Sequence, residues 1–80
     1  MDEIGKVTHY YGKIGVAIIG LSGGLKVGDR IKIQGAHGEF EETVDSMEVD
    51  HKSVAEAKEG DVIGLKVNEK ASEGAKVFKL

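Results

Sequence analysis

The sequence predicts an all-β fold, a small six-stranded antiparallel barrel that is closed or nearly closed. Three observations point there. Apolar residues alternate with polar ones in short runs, as at Arg30–Gln34 and Asp61–Val67, and this period of two belongs to half-buried strands. Turn residues separate these runs at fairly regular spacing, the pattern of sandwiches and small barrels. A glycine-acid turn also recurs ahead of β-type runs, as Val27-Gly28-Asp29-Arg30-Ile31 and Glu59-Gly60-Asp61-Val62-Ile63, and more weakly as Glu73-Gly74-Ala75-Lys76-Val77. Glycine takes positive φ without a Cβ clash, and aspartate can hydrogen-bond its own backbone in a turn. Each copy therefore reads as a tight turn that launches a strand.

The elements follow in order. Glu3–Tyr11 is a strand with Val7, His9 and Tyr11 on one face. Gly12-Lys13 fits a hairpin turn. Ile14–Leu21 is apolar at both parities, which predicts a strand covered on both sides for part of its length. Ser22-Gly23-Gly24 breaks the chain. Arg30–Gln34 points Ile31 and Ile33 inward and Lys32 outward, and Gln34–Gly38 is a loop. Beyond it the phase changes: Phe40 and Val44 share one parity, Met47 and Val49 the other. A strand of period two cannot bury both sets without a slip, so a β-bulge is expected near Asp45–Ser46. Ser53–Glu59 is expected to form one short helical turn ended by Gly60. Asp61–Val67 buries Ile63, Leu65 and Val67, Asn68–Gly74 is polar, and Ala75–Leu80 is a last strand.

Eighty residues suffice for a single domain, residues 1–80. Such a chain buries about 60–65% of the surface that its unfolded form exposes, so the core is small. With 40% apolar and 31% charged residues it is globular rather than disordered. It has no cysteine, which excludes disulfides and thiolate metal sites. The acidic Met1-Asp2-Glu3 start lacks the basic region of a signal peptide, and no apolar run approaches the ~20 residues of a membrane span. A cytoplasmic setting is expected.

Charge is uneven. Residues 1–38 hold five basic and three acidic side chains, a balance of +2, whereas residues 39–80 hold six and eleven, a balance of −5. Six acids and no base lie between Glu39 and Asp50, a pattern usual for a solvated strand face that also favours a basic partner. The strongly basic footprint of an affinity dominated by phosphate contacts is missing.

The sequence presents no catalytic constellation. Gly5-Lys6 and Gly12-Lys13 are followed by Val7 and Ile14 rather than serine or threonine, so neither is a phosphate-binding loop. His9, His37 and His51 stand far apart and form no metal-ligand pair. Ser22, Ser46, Ser53 and Ser72 lie in no nucleophile elbow. Glu41 and Glu42 point to opposite faces of a strand and cannot act as an acid/base dyad. No enzyme activity, cofactor or metal is expected. Met47-Glu48-Val49-Asp50-His51-Lys52 is similar to the hairpin of lipoyl carrier domains, but His51 separates Asp50 from Lys52.

The order of the pieces resembles the second domain of translational GTPases such as elongation factor Tu and initiation factor two. The matching pieces are Gly5–Ile18, Leu25–Ile31, Val44–Val49 and Val54–Val77, nearly the whole chain. The resemblance implies a small closed β-barrel without the GTPase domain, and so no GTP binding. It implies a non-catalytic binding module, an accessory in translation that contacts transfer or ribosomal RNA. Glu48, His51 and Lys52 align with that family's transfer-RNA pocket, where this chain carries Asp50 in place of a frequent aromatic. The first hairpin offers a second surface, His9, Tyr10, Tyr11 and Lys13, because an exposed tyrosine can stack on a base and lysine can meet phosphate. A protein-interaction module, or an accessory subunit of another enzyme, is the alternative reading.

Overall fold

A computed structural model describes residues 2–36 and 38–80. The expectation for His37 lies outside the described residues. Ten strands form, and no helix is present among the described residues: β1 (Asp2–Tyr11), β2 (Val16–Leu21), β3 (Leu25–Lys26), β4 (Arg30–Gly35), β5 (Gly38–Thr43), β6 (Met47–Val49), β7 (Lys52–Val54), β8 (Glu56–Ala57), β9 (Val62–Lys66) and β10 (Lys76–Lys79).

Eight strands form one antiparallel sheet in the order β5-β4-β10-β1-β2-β9-β6-β7, and β3 pairs with β8 in a separate two-stranded sheet. The ladder therefore ends at β5 and β7, and the expected six-stranded closed barrel does not form. The sheet is nevertheless strongly curled. Only Val44, Asp45 and Ser46 connect β5 to β6, so these strands from opposite flanks approach within about 14 Å along the chain. The small sheet straps this region together. Gly28 N–H donates to Val44 C=O at 2.8 Å, Val44 N–H to Asp29 C=O at 2.9 Å, and Val27 N–H to Ala55 C=O at 2.9 Å.

The glycine-acid turns behave as their chemistry requires. Gly28, Gly60 and Gly74 have φ of 97°, 93° and 86°. Asp29 Oδ2 accepts from Lys26 N–H at 2.9 Å and Asp61 Oδ2 from Lys58 N–H at 3.0 Å. The third copy has Ala75 in the aspartate's place and keeps only the backbone bond from Ala75 N–H to Ser72 C=O.

The core lies inside the curl. Ile19, Ile31, Ile63, Leu65 and Val77 are fully buried, with Val7, Leu25, Ile33, Val44 and Met47 at 1% exposure. Burying such a side chain contributes about 1.5–3 kcal/mol. Ile31 with Ile33, and Ile63 with Leu65 and Val67, are the inward sets that period two predicts.

Four local expectations are corrected. In β1 the pairing with β2 slips between Val7↔Ile19 and His9↔Ile18. Thr8 is the extra residue, and the parity reverses there: Tyr10 packs against the core, while His9 and Tyr11 face out. In β2 only Ala17, Ile19 and Leu21 are buried; Val16 and Ile18 are half-covered and Ile14 is 63% exposed. The phase change after Thr43 occurs by a break between β5 and β6 rather than by a bulge within one strand. The expected helical turn at Ser53–Glu59 is replaced by β7, β8 and a turn, because Val54 and Ala57 pair with Met47 and Leu25.

One acid in the charged run is inside. Glu42 is 5% exposed, and its Oε1 accepts from Asn68 N–H at 2.9 Å. Burial, together with the nearby Asp45 and Glu69 charges, pushes its carboxyl above the usual range despite that hydrogen bond.

Candidate binding groove

The outer faces of β1, β2, β9 and β6 adjoin in that order. Pairing aligns their outward residues in rows. His9 stands opposite Ile18, Ile18 opposite Gly64, and Gly64 opposite Glu48. Tyr11 stands opposite Val16, and Gly20 opposite Val62.

These rows enclose a groove of about 350 Å³, lined by Tyr11, Ile14, Val16, Ile18, Glu48, Asp50, His51, Val62, Ile63 and Gly64. Its floor is open because Gly64 has no side chain. A Cβ there would lie 3.6 Å from Val16 Cγ1 and 3.7 Å from Ile18 Cδ1, so a larger residue would fill the space above those side chains. Ile14, Val62 and Tyr11 stand 63%, 57% and 48% exposed. They form one apolar stripe rather than scattered surface residues, and such patches mark contact surfaces.

One end of the groove is polar and under backbone strain. Val49 pairs with Lys52 across a two-residue turn in which Asp50 has φ 52° and His51 has φ 65°. Two consecutive positive φ values are the requirement of a type I′ hairpin turn, which asparagine-glycine normally fills. A side chain at His51 is thus held at a position that favours glycine. Glu48, Asp50 and His51 form this polar end, and the lining contains no lysine or arginine.

The structure sorts the seven predicted site residues. Tyr11 from the first hairpin and Glu48 and His51 from β6 and its turn, expected on two separate surfaces, share this groove. Tyr10 is half-buried against the core. His9 is outward beside the groove, its ring 4.4 Å from that of Tyr11 and its Nδ1 2.9 Å from Glu73 Oε2. Lys13 and Lys52 are exposed and outside the lining. Sequence reasoning missed Ile14, Val16, Ile18, Val62 and Gly64. The signal for Ile14, Val16 and Ile18 was present in the second apolar parity of Ile14–Leu21, which the core leaves unused; Val62 and Gly64 on β9 carried none.

A second cleft of similar volume, about 350 Å³, lies between Ile33, Gly35, Gly38, Glu39 and Phe40 on one side and Glu69, Lys70, Ala71 and Ser72 on the other. No predicted site residue lines it. Among the described residues no group of three or more histidine, aspartate or glutamate side chains converges as a metal site, and no helix is long and apolar enough to cross a membrane.

Comparison with known proteins corrects the family. No protein-family profile matches the chain. It is 46% identical over 79 residues to an uncharacterised protease of Methanocaldococcus jannaschii, an alignment that covers 98% of this chain and 19% of that protein. The chain thus spans about a fifth of the relative it matches. Among solved structures, it is similar to the C-terminal domain of a Geobacillus thermoleovorans protein described as a U32 peptidase. One crystal structure gives a TM-score of 0.92 at 16% identity, covering 99% of this chain and 92% of that one. A selenomethionine variant gives 0.91 at 15% identity, covering 96% and 98%.

Neither relative is the second domain of a translational GTPase, so the expected translation-factor kinship and accessory role in translation do not hold. The reason is physical. The pieces that carried that resemblance were glycine-acid turns followed by strands, and here those residues cap turns by bonding the Lys26 and Lys58 amides. Any small β fold with strand-launching turns can share them. The transfer-RNA pocket implied at Glu48, His51 and Lys52 rested on that resemblance.

Proposed function

We propose that this chain is a non-catalytic recognition domain, of the kind that ends U32 peptidase-type proteins, and that it holds a polypeptide in the groove between β1, β2, β9 and β6. The kinship supports the setting: a protein named as a protease contains a segment 46% identical to nearly the whole chain, and the fold matches C-terminal domains. The observation that carries the binding role is the outer face of β2. Val16 and Ile18, with Ile14 beside them, are apolar at the parity that the core does not use, and Val62 extends the stripe on β9. Solvent-facing positions on a strand are usually polar, so Val16, Ile18 and Val62 around an open glycine floor, with Ile14 in the adjoining turn, favour a contact surface.

A non-catalytic role fits the lining chemistry. Groove residues include no serine, threonine or cysteine to serve as a nucleophile. With Glu48 and Asp50 in the lining and no lysine or arginine there, the groove disfavours phosphate.

The test pairs two measurements on the chain. Unfolded casein incubated with it should yield no new fragments. In a proton–nitrogen NMR titration with the same casein, the amides of Ile14, Ile18, Val62 and Gly64 should shift saturably. The double variant Ile14→Ser/Val62→Ser should stay folded, since both residues are exposed, and bind about tenfold more weakly. Cleavage of casein, or shifts confined to another surface, would overturn the proposal.

A further inference from the structure

Resting on the reading of the groove as a polypeptide site, the geometry points to a specific ligand chemistry: a segment that presents a branched apolar side chain next to a lysine or arginine. The groove is divided into two parts. Its floor is apolar, with Val16 and Ile18 leaning beside the open space above Gly64 and with Ile14 and Val62 standing exposed around it. A leucine or isoleucine side chain fits such a space, and nothing polar in the floor would need a partner.

The other end carries two carboxylates. Glu48 stands opposite Gly64 across the β6–β9 pair, so its side chain begins one strand spacing, about 4.8 Å, from the open floor. Asp50 lies two residues further along, in the turn. Neither carboxylate has an ion-pair partner among the described residues, whereas Asp29, Glu39 and Glu41 each have one. The lining holds no lysine or arginine that could neutralise them. Two unpaired acids beside an apolar floor select a cation one residue away from an apolar side chain. They also repel an acidic neighbour, so the pair gives discrimination as well as attraction.

The strained turn strengthens the assignment. Positive φ at both Asp50 and His51 fixes the backbone that aims these side chains, and such strain tends to collect at binding sites.

The experiment uses the full chain and three blocked pentapeptides, Gly-Leu-Lys-Gly-Gly, Gly-Leu-Glu-Gly-Gly and Gly-Ala-Lys-Gly-Gly, in NMR titrations at low salt. The leucine–lysine peptide should shift the Ile18, Gly64 and Glu48 amides and bind about tenfold more tightly than the alanine–lysine peptide. The leucine–glutamate peptide should bind about three- to tenfold more weakly than leucine–lysine, and the double variant Glu48→Gln/Asp50→Asn should abolish that preference. Asparagine tolerates positive φ, so the variant keeps its turn, which its dispersed spectrum would verify.

Equal binding of the lysine and glutamate peptides in the groove would overturn the charge selection while leaving the recognition role standing. Failure of casein and of all three peptides to shift groove residues would overturn both. Shifts of the same residues on concentrating the chain alone would give the groove to a second copy, and would also overturn the inference.

Discussion

Replacing His51 by glycine should stabilise this fold, although it removes a whole imidazole from a candidate binding site. His51 sits at φ 65° in a two-residue turn. An L-residue in the left-handed region carries about 1–2 kcal/mol of steric cost. Glycine escapes that cost but loses more backbone freedom on folding, about 0.5–1 kcal/mol. The net gain is about 0.5–1 kcal/mol. For 80 residues, with an unfolding entropy of about 2.1 cal/mol/K per residue, the midpoint should rise by roughly 3–6 °C. Thermal melts and urea unfolding followed by circular dichroism would measure it, with an unchanged urea slope showing that only stability moved. His51→Ala is the control: it discards the ring yet keeps a Cβ at the same φ, so it should give no gain. If His51→Gly is no more stable than the parent chain, or if His51→Ala gains as much, the turn is not strained in the way argued.

Three further outcomes follow from the interior. Gly5→Ala would place a Cβ 2.9 Å from both Gly20 O and Ile19 Cγ2, and urea unfolding should show a loss of about 1–3 kcal/mol. Glu42→Gln keeps an acceptor for Asn68 N–H but removes a buried charge. Because the folded Glu42 carboxyl titrates above its ordinary 4.5, its penalty is complete above the folded value and disappears as the pH falls to the unfolded one. The variant should therefore be more stable than the parent near pH 7, with the advantage vanishing toward pH 4, in urea midpoints read across that range. For Asp29, burial pushes the carboxyl up, yet the Lys26 N–H bond and the Lys79 ammonium at 3.3 Å outweigh it and hold it below 3.8. Asp29→Ala should lose about 1–2 kcal/mol at pH 7, a loss that is full above 3.8 and fades as the pH falls through the depressed folded value; parallel melts at pH 7 and pH 2.5 would check it.

Much of the fold was legible because period two and turn chemistry are local. Ile31 and Ile33, or Ile63 and Leu65, announce their face without help from the rest of the chain, and Asp29 and Asp61 announce their turns. What escaped was non-local. Nothing near Thr8 marks it as an extra residue, since the slip is set by pairing with β2, and that slip exchanges Tyr10 for Tyr11 as the exposed ring. Val54 and Ala57 carry a helix-like spacing that pairing with β6 and β3 overrides. The groove needed four strands brought together by topology: Tyr11 and Glu48 were each visible, but Val62 and Gly64, which complete the space between them, looked like ordinary strand residues. Kinship misled for the opposite reason, since glycine-acid turns are too generally useful to identify a family.

The placement of β1 beside β10 in the middle of the sheet governs how this polypeptide can be made. Asp2 pairs with Lys79 and Lys6 with Lys76, so β1 has to wait for β10, which follows all the other strands in sequence, before its ladder is complete. Contacts of such long sequence separation slow folding. A nascent chain lacking residues 76–79 would leave β1 and β4 each with an open edge, ready to pair with a neighbour. The finished molecule gains from the same arrangement. Because Asp2 and Lys79 are paired, β1 and β10 bring these two residues side by side, a closeness of the kind that tolerates insertion and circular permutation.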